Sequence, residues 1–227
     1  MKINFIDLIS QYEAYGKEID GRIKNVLMHG KYILGPEVIE LEEELAKYTG
    51  SKYALSCANG TDALTISLMS IGVGVGDEVI LPSFSYIATA EAVKILGAKP
   101  VYCDICPKTF NINFLEIERL ITKNTKAIIP VSLFGQTADF KPINEIATKY
   151  NLTVVEDGAQ SFGAEYRKRK SCNLSKIAIT SFFPSKPLGC YGDGGAIFTS
   201  SSRIYELCKS ISRHGESKQR YYHDRLG

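Results

Sequence analysis

Short, β-branched apolar runs alternate along this chain with longer stretches of helical periodicity, and that alternation restricts the fold more than any other feature of the sequence. A strand that is apolar along its whole length has to be covered on both faces, and the helices between successive strands supply the cover. Seven strands are predicted, at Tyr53 to Ser56, Glu78 to Pro82, Lys99 to Cys103, Lys126 to Val131, Thr153 to Glu156, Ile177 to Ser181 and Gly195 to Thr199. The fold class is therefore α/β, with a mostly parallel seven-stranded sheet between helices.

Among the helices, one opens at Gly60-Thr61-Asp62, runs through an apolar stretch suited to lie on a sheet, and stops at the Gly72-Val-Gly-Val-Gly76 cluster. Another begins near Tyr86 and ends at Gly97. A third, Lys141 to Tyr150, carries Ile143, Ile146 and Ala147 on one face. The first fifty residues hold two more helical stretches, parted by a turn around Lys31 to Pro36. At 227 residues and 44% hydrophobic composition the chain supports one sizeable core, and no repeat, low-complexity tract or linker divides it.

The charges exclude several classes of function. The 27 basic and 25 acidic residues are spread along the chain, for a net charge of +2, so no nucleic-acid surface is announced. The one basic cluster, Arg167 to Lys170, reads as a solvated hairpin turn rather than a polyanion site. No apolar run approaches the roughly 18 residues of a membrane span, and Met1 to Asp7 lacks a signal peptide's apolar stretch, so a cytoplasmic protein is expected. The six cysteines read as reduced residues in or near the core. Cys103 and Cys106 form a C-x-x-C, but no second Cys/His pair sits at zinc spacing, and a strand end is the preferred reading.

Three features carry chemistry. Asn59-Gly60-Thr61-Asp62 lies between a predicted strand and a helix, where free N–H groups, a close-approach glycine and a hydroxyl suit a phosphate; the alternative is Asp62 as a plain helix cap. Glu156 and Asp157 close an apolar strand at its C-terminal end, the edge where such sheets bind ligands. A carboxylate there can keep a pyridine nitrogen protonated, and the alternative is a helix N-cap. Lys186 sits in the aromatic, glycine-rich loop Ser181 to Gly195, flanked by Pro184 and Pro187, a setting that suits a Schiff-base lysine better than a surface charge.

Four segments in order, Asn59 to Leu64, Pro82 to Ala90, Glu156 to Ala164 and Ser181 to Gly189, resemble the DegT/DnrJ/EryC1/StrS family of sugar aminotransferases, and the similarity runs from Phe5 through His214-Gly215 to the last residue. The resemblance implies the large domain of a fold-type I transferase dependent on pyridoxal 5′-phosphate, occupying residues 1–227. It implies that Lys186 carries the cofactor and acts as the catalytic acid/base, that Asp157 pairs with the ring nitrogen, and that Gln160 contacts the ring hydroxyl side. Gly60, Thr61 and Ser181 would hold the phosphate, and Tyr86 would stack on the ring face. His214 falls in a motif region near the site.

The implied reaction moves an amino group from glutamate to a keto nucleotide sugar, with a UDP-linked 3-keto sugar favoured, for bacterial surface polysaccharide such as lipopolysaccharide O-antigen. The implied assembly is a homodimer with active sites at the subunit interface. Family members continue with an Asn-Ser-Arg-Leu-Asp-like motif, placed where Arg225-Leu226-Gly227 stands here, and then a small C-terminal domain, so the chain reads as a fragment of such an enzyme or a non-catalytic remnant. A related use of the scaffold, sugar dehydration, replaces the lysine with histidine, whereas Lys186 is a lysine. Dinucleotide binding lacks its glycine motif after the first strand; Gly72 to Gly76 follows a helix and reads as a turn.

Overall fold

The structure, a computed structural model, describes residues 6–217, 219 and 221–227. Phe5, where the family resemblance begins, lies outside them. The strands are β1 (Tyr53–Cys57), β2 (Glu78–Pro82), β3 (Lys99–Cys103), β4 (Thr125–Ile128), β5 (Thr153–Asp157), β6 (Glu165–Tyr166), β7 (Arg169–Lys170), β8 (Ile177–Ser181) and β9 (Gly195–Thr199). The helices are α1 (Leu8–His29), α2 (Pro36–Thr49), α3 (Gly60–Ser70), α4 (Ala88–Ile95), α5 (Phe114–Leu120), α6 (Phe140–Lys149) and α7 (Ser202–Ile211).

Seven strands form one sheet in the order β1-β9-β8-β5-β4-β2-β3, and all neighbours are parallel except that β9 runs against both β1 and β8. No helix lies between β8 and β9 to carry the chain back across the sheet, so the return is antiparallel. The register then sets Gly195, the first residue of β9, opposite both Cys57 and Ser181, the last residues of β1 and β8. Asp157 ends β5 two places away in the sheet order, at the same edge.

Alternation along each strand divides the core between the two faces. Val79, Leu81, Ala127, Ile129 and Val155 pack on one side with Ala63, Leu64 and Leu68 of α3, Val93 of α4 and Ile204 of α7. Ile80, Ile128 and Val154 pack on the other with Ile117 of α5 and Phe140, Ile143 and Ala147 of α6. Leu45 of α2 joins Ala54, Ala178 and Phe198 in a third cluster.

The strand predicted over Lys126 to Val131 is shorter at its end, because Pro130 has no N–H to give the ladder. Val131 resumes pairing only as an isolated bridge to Asp157. The basic cluster falls at the β6–β7 hairpin: Arg167 and Lys168 form its turn, both left-handed at φ 51° and 66°, and Arg169 and Lys170 are β7 itself. All six cysteines are free, and burial pushes the thiols of Cys57 to about 12 and of Cys103 and Cys208 to about 11. Among the described residues no three His, Cys, Asp or Glu side chains gather as metal ligands, and no helix is long and apolar enough to cross a membrane.

Candidate active site

At the C-terminal edge of the sheet, β1 turns through Asn59 into α3. Asn59 is extended, and its side-chain oxygen accepts the Asp62 N–H at 2.8 Å, so Asn59 caps the helix. This corrects the alternative that gave Asp62 the cap. The first-turn N–H groups of Gly60 and Thr61 have no carbonyl a turn earlier to bond and sit at the positive end of the helix dipole. Ser181 presses against them: a Cβ on Gly60 would lie 2.8 Å from the Ser181 Cβ, and one on Gly195 would lie 2.5 Å from the Asn59 carbonyl. The Ser181 Oγ accepts the Phe183 N–H at 3.2 Å, leaving its own proton to donate.

The two carboxylates that end β5 part company, since neighbouring strand residues face opposite sides. Glu156 turns away from the cavity and holds the loop before β8, accepting from Ser171 Oγ at 2.8 Å and from the N–H groups of Cys172 and Leu174 at 2.7 and 2.9 Å. Burial outweighs these donors and pushes its carboxyl up to about 7. Of the two, Asp157 lines the cavity. No helix follows it, so it caps none; its Oδ1 accepts the Ala159 N–H at 3.1 Å in a turn. Its Oδ2 accepts the Thr89 hydroxyl at 3.0 Å. Burial raises the Asp157 carboxyl above its ordinary range, against the pull of both donors and the positive charge of Lys186.

Lys186 is half-buried in the loop between β8 and β9. That loop is fastened by Phe182 N–H to the Gly194 carbonyl at 2.7 Å, Cys190 N–H to the Phe182 carbonyl at 2.8 Å and Lys186 N–H to the Phe183 carbonyl at 2.8 Å. Gln160 accepts the Phe134 N–H through its side-chain oxygen at 3.1 Å, and Tyr86 stands on the rim, 70% exposed.

Gly60, Thr61, Tyr86, Asp157, Gln160, Ser181 and Lys186 thus line one cavity of about 640 Å³. Clefts of about 1030 and 770 Å³ lie elsewhere, beside α7 and beside the β6–β7 hairpin, without this convergence of a lysine, a buried carboxylate and a helix N-terminus. His214 is not on the cavity wall: it is exposed beyond α7, where its carbonyl accepts from the His223 ring at 2.8 Å. Sequence reasoning missed Thr89 and Ser85. Both fall inside the Pro82 to Ala90 segment, yet nothing in their type or spacing assigns them to the cavity.

Pyridoxal phosphate fits these residues on three observations. The Ser85 Oγ is buried in the cavity wall with no hydrogen-bond partner. Asp157 is a desolvated carboxyl that a cationic ring nitrogen would return towards ionisation. The anion cradle of α3 is kept open by glycines that no Cβ could replace without a shift.

A mostly parallel sheet with a lysine, a buried aspartate and an anion cradle at its C-terminal edge is an architecture suited to a pyridine cofactor that carries a phosphate. The chain belongs to the DegT/DnrJ/EryC1/StrS aminotransferase family, whose sequence profile matches residues 13–227. It is 60% identical over 225 residues, 99% of its length and 62% of the relative's, to the UDP-2-acetamido-2-deoxy-3-oxo-D-glucuronate aminotransferase of Pseudomonas aeruginosa. The crystal structure of S. venezuelae DesV in complex with a ketimine intermediate superposes with a TM-score of 0.96 at 40% identity, over 100% of this chain and 61% of that one. NtdA of Bacillus subtilis with bound cofactor PMP gives 0.88 at 35% identity, over 94% and 48%. The chain spans about three fifths of the length of the curated relatives it matches.

Proposed function

We propose that this chain is the pyridoxal 5′-phosphate-binding large domain of an aminotransferase that moves an amino group from glutamate to a keto nucleotide sugar, a UDP-linked 3-keto sugar, in the cytoplasmic synthesis of a bacterial surface polysaccharide. The observation that carries the reading is the convergence of Lys186, Asp157 and the N-terminus of α3 on one cavity. The likeness to the Pseudomonas aeruginosa enzyme supports the sugar.

In this reading the N–H groups of Gly60 and Thr61 and the hydroxyl of Ser181 bind the cofactor's phosphate. Asp157 keeps the ring nitrogen protonated, Tyr86 covers a ring face, and Gln160 donates on the ring hydroxyl side. When bound, the cofactor supplies an electron sink for negative charge on the substrate carbon. Lys186 holds the cofactor through its amine and, once released, moves a proton between the substrate carbon and C4′ as general acid and base. Its loop, fastened through Phe182, Cys190 and Gly194, fixes where that amine stands. The chain acts as a homodimer, with the partner completing each site.

The test is to add pyridoxal phosphate to the 227-residue chain, record the visible spectrum, reduce with borohydride, map the adduct, and titrate a second sample with glutamate. A visible band, an adduct on Lys186 and bleaching by glutamate are expected, all lost in Lys186→Ala. A chain that binds no cofactor would sink the reading and leave a remnant that folds without turning over.

A further inference from the structure

Thr89 lies on the cavity wall, 2% exposed, in the first turn of α4, with its hydroxyl donated to Asp157, 68 residues away. We propose that Thr89 is a positioning residue for Asp157: its hydroxyl fixes the carboxylate's rotamer and favours its ionised form, so that the oxygens meet the ring nitrogen in the orientation that nitrogen needs. The inference rests on the proposed cofactor reading for its use, and on geometry alone for the Thr89–Asp157 coupling.

Asp157 has two oxygens and the protein gives each one donor, the Ala159 N–H at 3.1 Å on Oδ1 and the Thr89 hydroxyl at 3.0 Å on Oδ2. The first donor is local, supplied by the turn itself. The second comes from another element, so Thr89 ties α4 to the end of β5. With only the Ala159 bond, the side chain could pivot about it; two donors on two oxygens hold the plane. Both favour the carboxylate, as a hydrogen bond to the charged form does.

The other groups that bear on Asp157 do not substitute. Lys186 approaches from the loop after β8 and is needed for the cofactor itself. Asp62 from α3 and Asp193 from the lysine loop line the same cavity, and a carboxylate has no proton to donate to Asp157. The Cys172 thiol, in the loop before β8, packs in the core away from the cavity and is held neutral by burial. Glu156 faces the opposite side of the sheet, and Tyr86 stands on the cavity rim. Among these groups Thr89 is the neutral donor from a different element.

The test compares Thr89→Val, which keeps the branched shape and removes the donor, with Thr89→Ser, which keeps the donor. In the cofactor-free chain, the side-chain carboxyl carbon of Asp157, assigned through Asp157→Asn, is followed by NMR against pH. Thr89→Val should raise its midpoint by about one to two pH units, the equivalent of one lost hydrogen bond to a charged group, and Thr89→Ser should restore it. With pyridoxal phosphate added, Thr89→Val should bind about tenfold more weakly and shift the pH dependence of the visible band, again with rescue by serine. An unchanged Asp157 midpoint in a folded Thr89→Val chain would overturn the inference, as would a serine variant that fails to rescue. If the cofactor-free midpoint moves as expected while the wild-type chain binds no cofactor, the coupling stands and the proposed function falls.

Discussion

Lys186 and Asp157 stand out in the chain alone, the lysine because its neighbours are aromatic and small, the aspartate because it ends an apolar strand, and the fold brings both to one cavity. Glu156 closes the same strand, but strand alternation sends the two side chains to opposite faces. Its place in the structure is to satisfy three donors of the loop before β8. The folded state holds the Glu156 proton up to about 7, whereas the unfolded chain releases it near the ordinary 4.5. The stability from this group is therefore fully present at low pH and is lost as the pH rises from 4.5 towards about 7. Asp157, also raised by burial, acts in the same direction. Glu156→Gln stays neutral but turns an NH2 towards one backbone N–H, at a cost of about 1–3 kcal/mol. Urea unfolding at pH 5 and pH 8 should show the wild type losing stability between the two, and the glutamine variant weaker at pH 5 with a smaller loss. Thr89 had no signal at this scale: its partner is 68 residues away, and only the packing of α4 on the sheet brings them together.

The unit that makes the anion cradle is the β1–α3 junction, clamped by the start of β9. Its parts should separate by mutation. Asn59→Ala removes one cap and leaves the cradle's own N–H groups, so it should cost about 1 kcal/mol by denaturant unfolding with cofactor affinity little changed. Gly195→Ala places a Cβ 2.5 Å from the Asn59 carbonyl carbon and oxygen, a backbone contact with no flexible side chain to yield. The junction must shift, so a loss of about 1–3 kcal/mol is expected together with weakened binding of pyridoxal phosphate. Equal affinity in wild type and Gly195→Ala would show that the cradle does not hold the phosphate. Most elements were readable from apolar pattern and punctuation: β2, β3, β8 and β9 fall on the predicted residues, and the glycines after α3 and α4 mark their ends. The end of β4 was overrun because Val131 continues the apolar run past Pro130, and composition alone hides the missing donor. The short α5, with Ile117 as its buried residue, offers too little periodicity to delimit.

At the scale of the whole molecule, the alternation of strands and helices specified the α/β class, while the strand order depended on contacts between segments far apart in the chain. The reversal of β9 was concealed in the lysine loop, which carries no helix and so returns the strand antiparallel. One large feature of the surface stays unexplained by the isolated chain. Of the 22 residues of α1 only Gly16 is buried, and Leu27 and Met28 at its end are exposed together with Tyr32 and Ile33 of the turn that follows, Ile33 at 87%. Single exposed apolar residues need no account, but a cluster this size at a helix end and its following turn is the kind of surface that suits an interface. The proposed homodimer supplies the partner, a second copy of the same surface. Sedimentation of the wild-type chain should therefore give the dimer mass, and Met28→Lys combined with Ile33→Lys should give the monomer with unchanged far-UV circular dichroism, because neither side chain belongs to the core clusters. If the double variant remains dimeric, the interface lies on another face; if the wild type sediments as a monomer at tens of micromolar, the homodimer proposal fails for this chain.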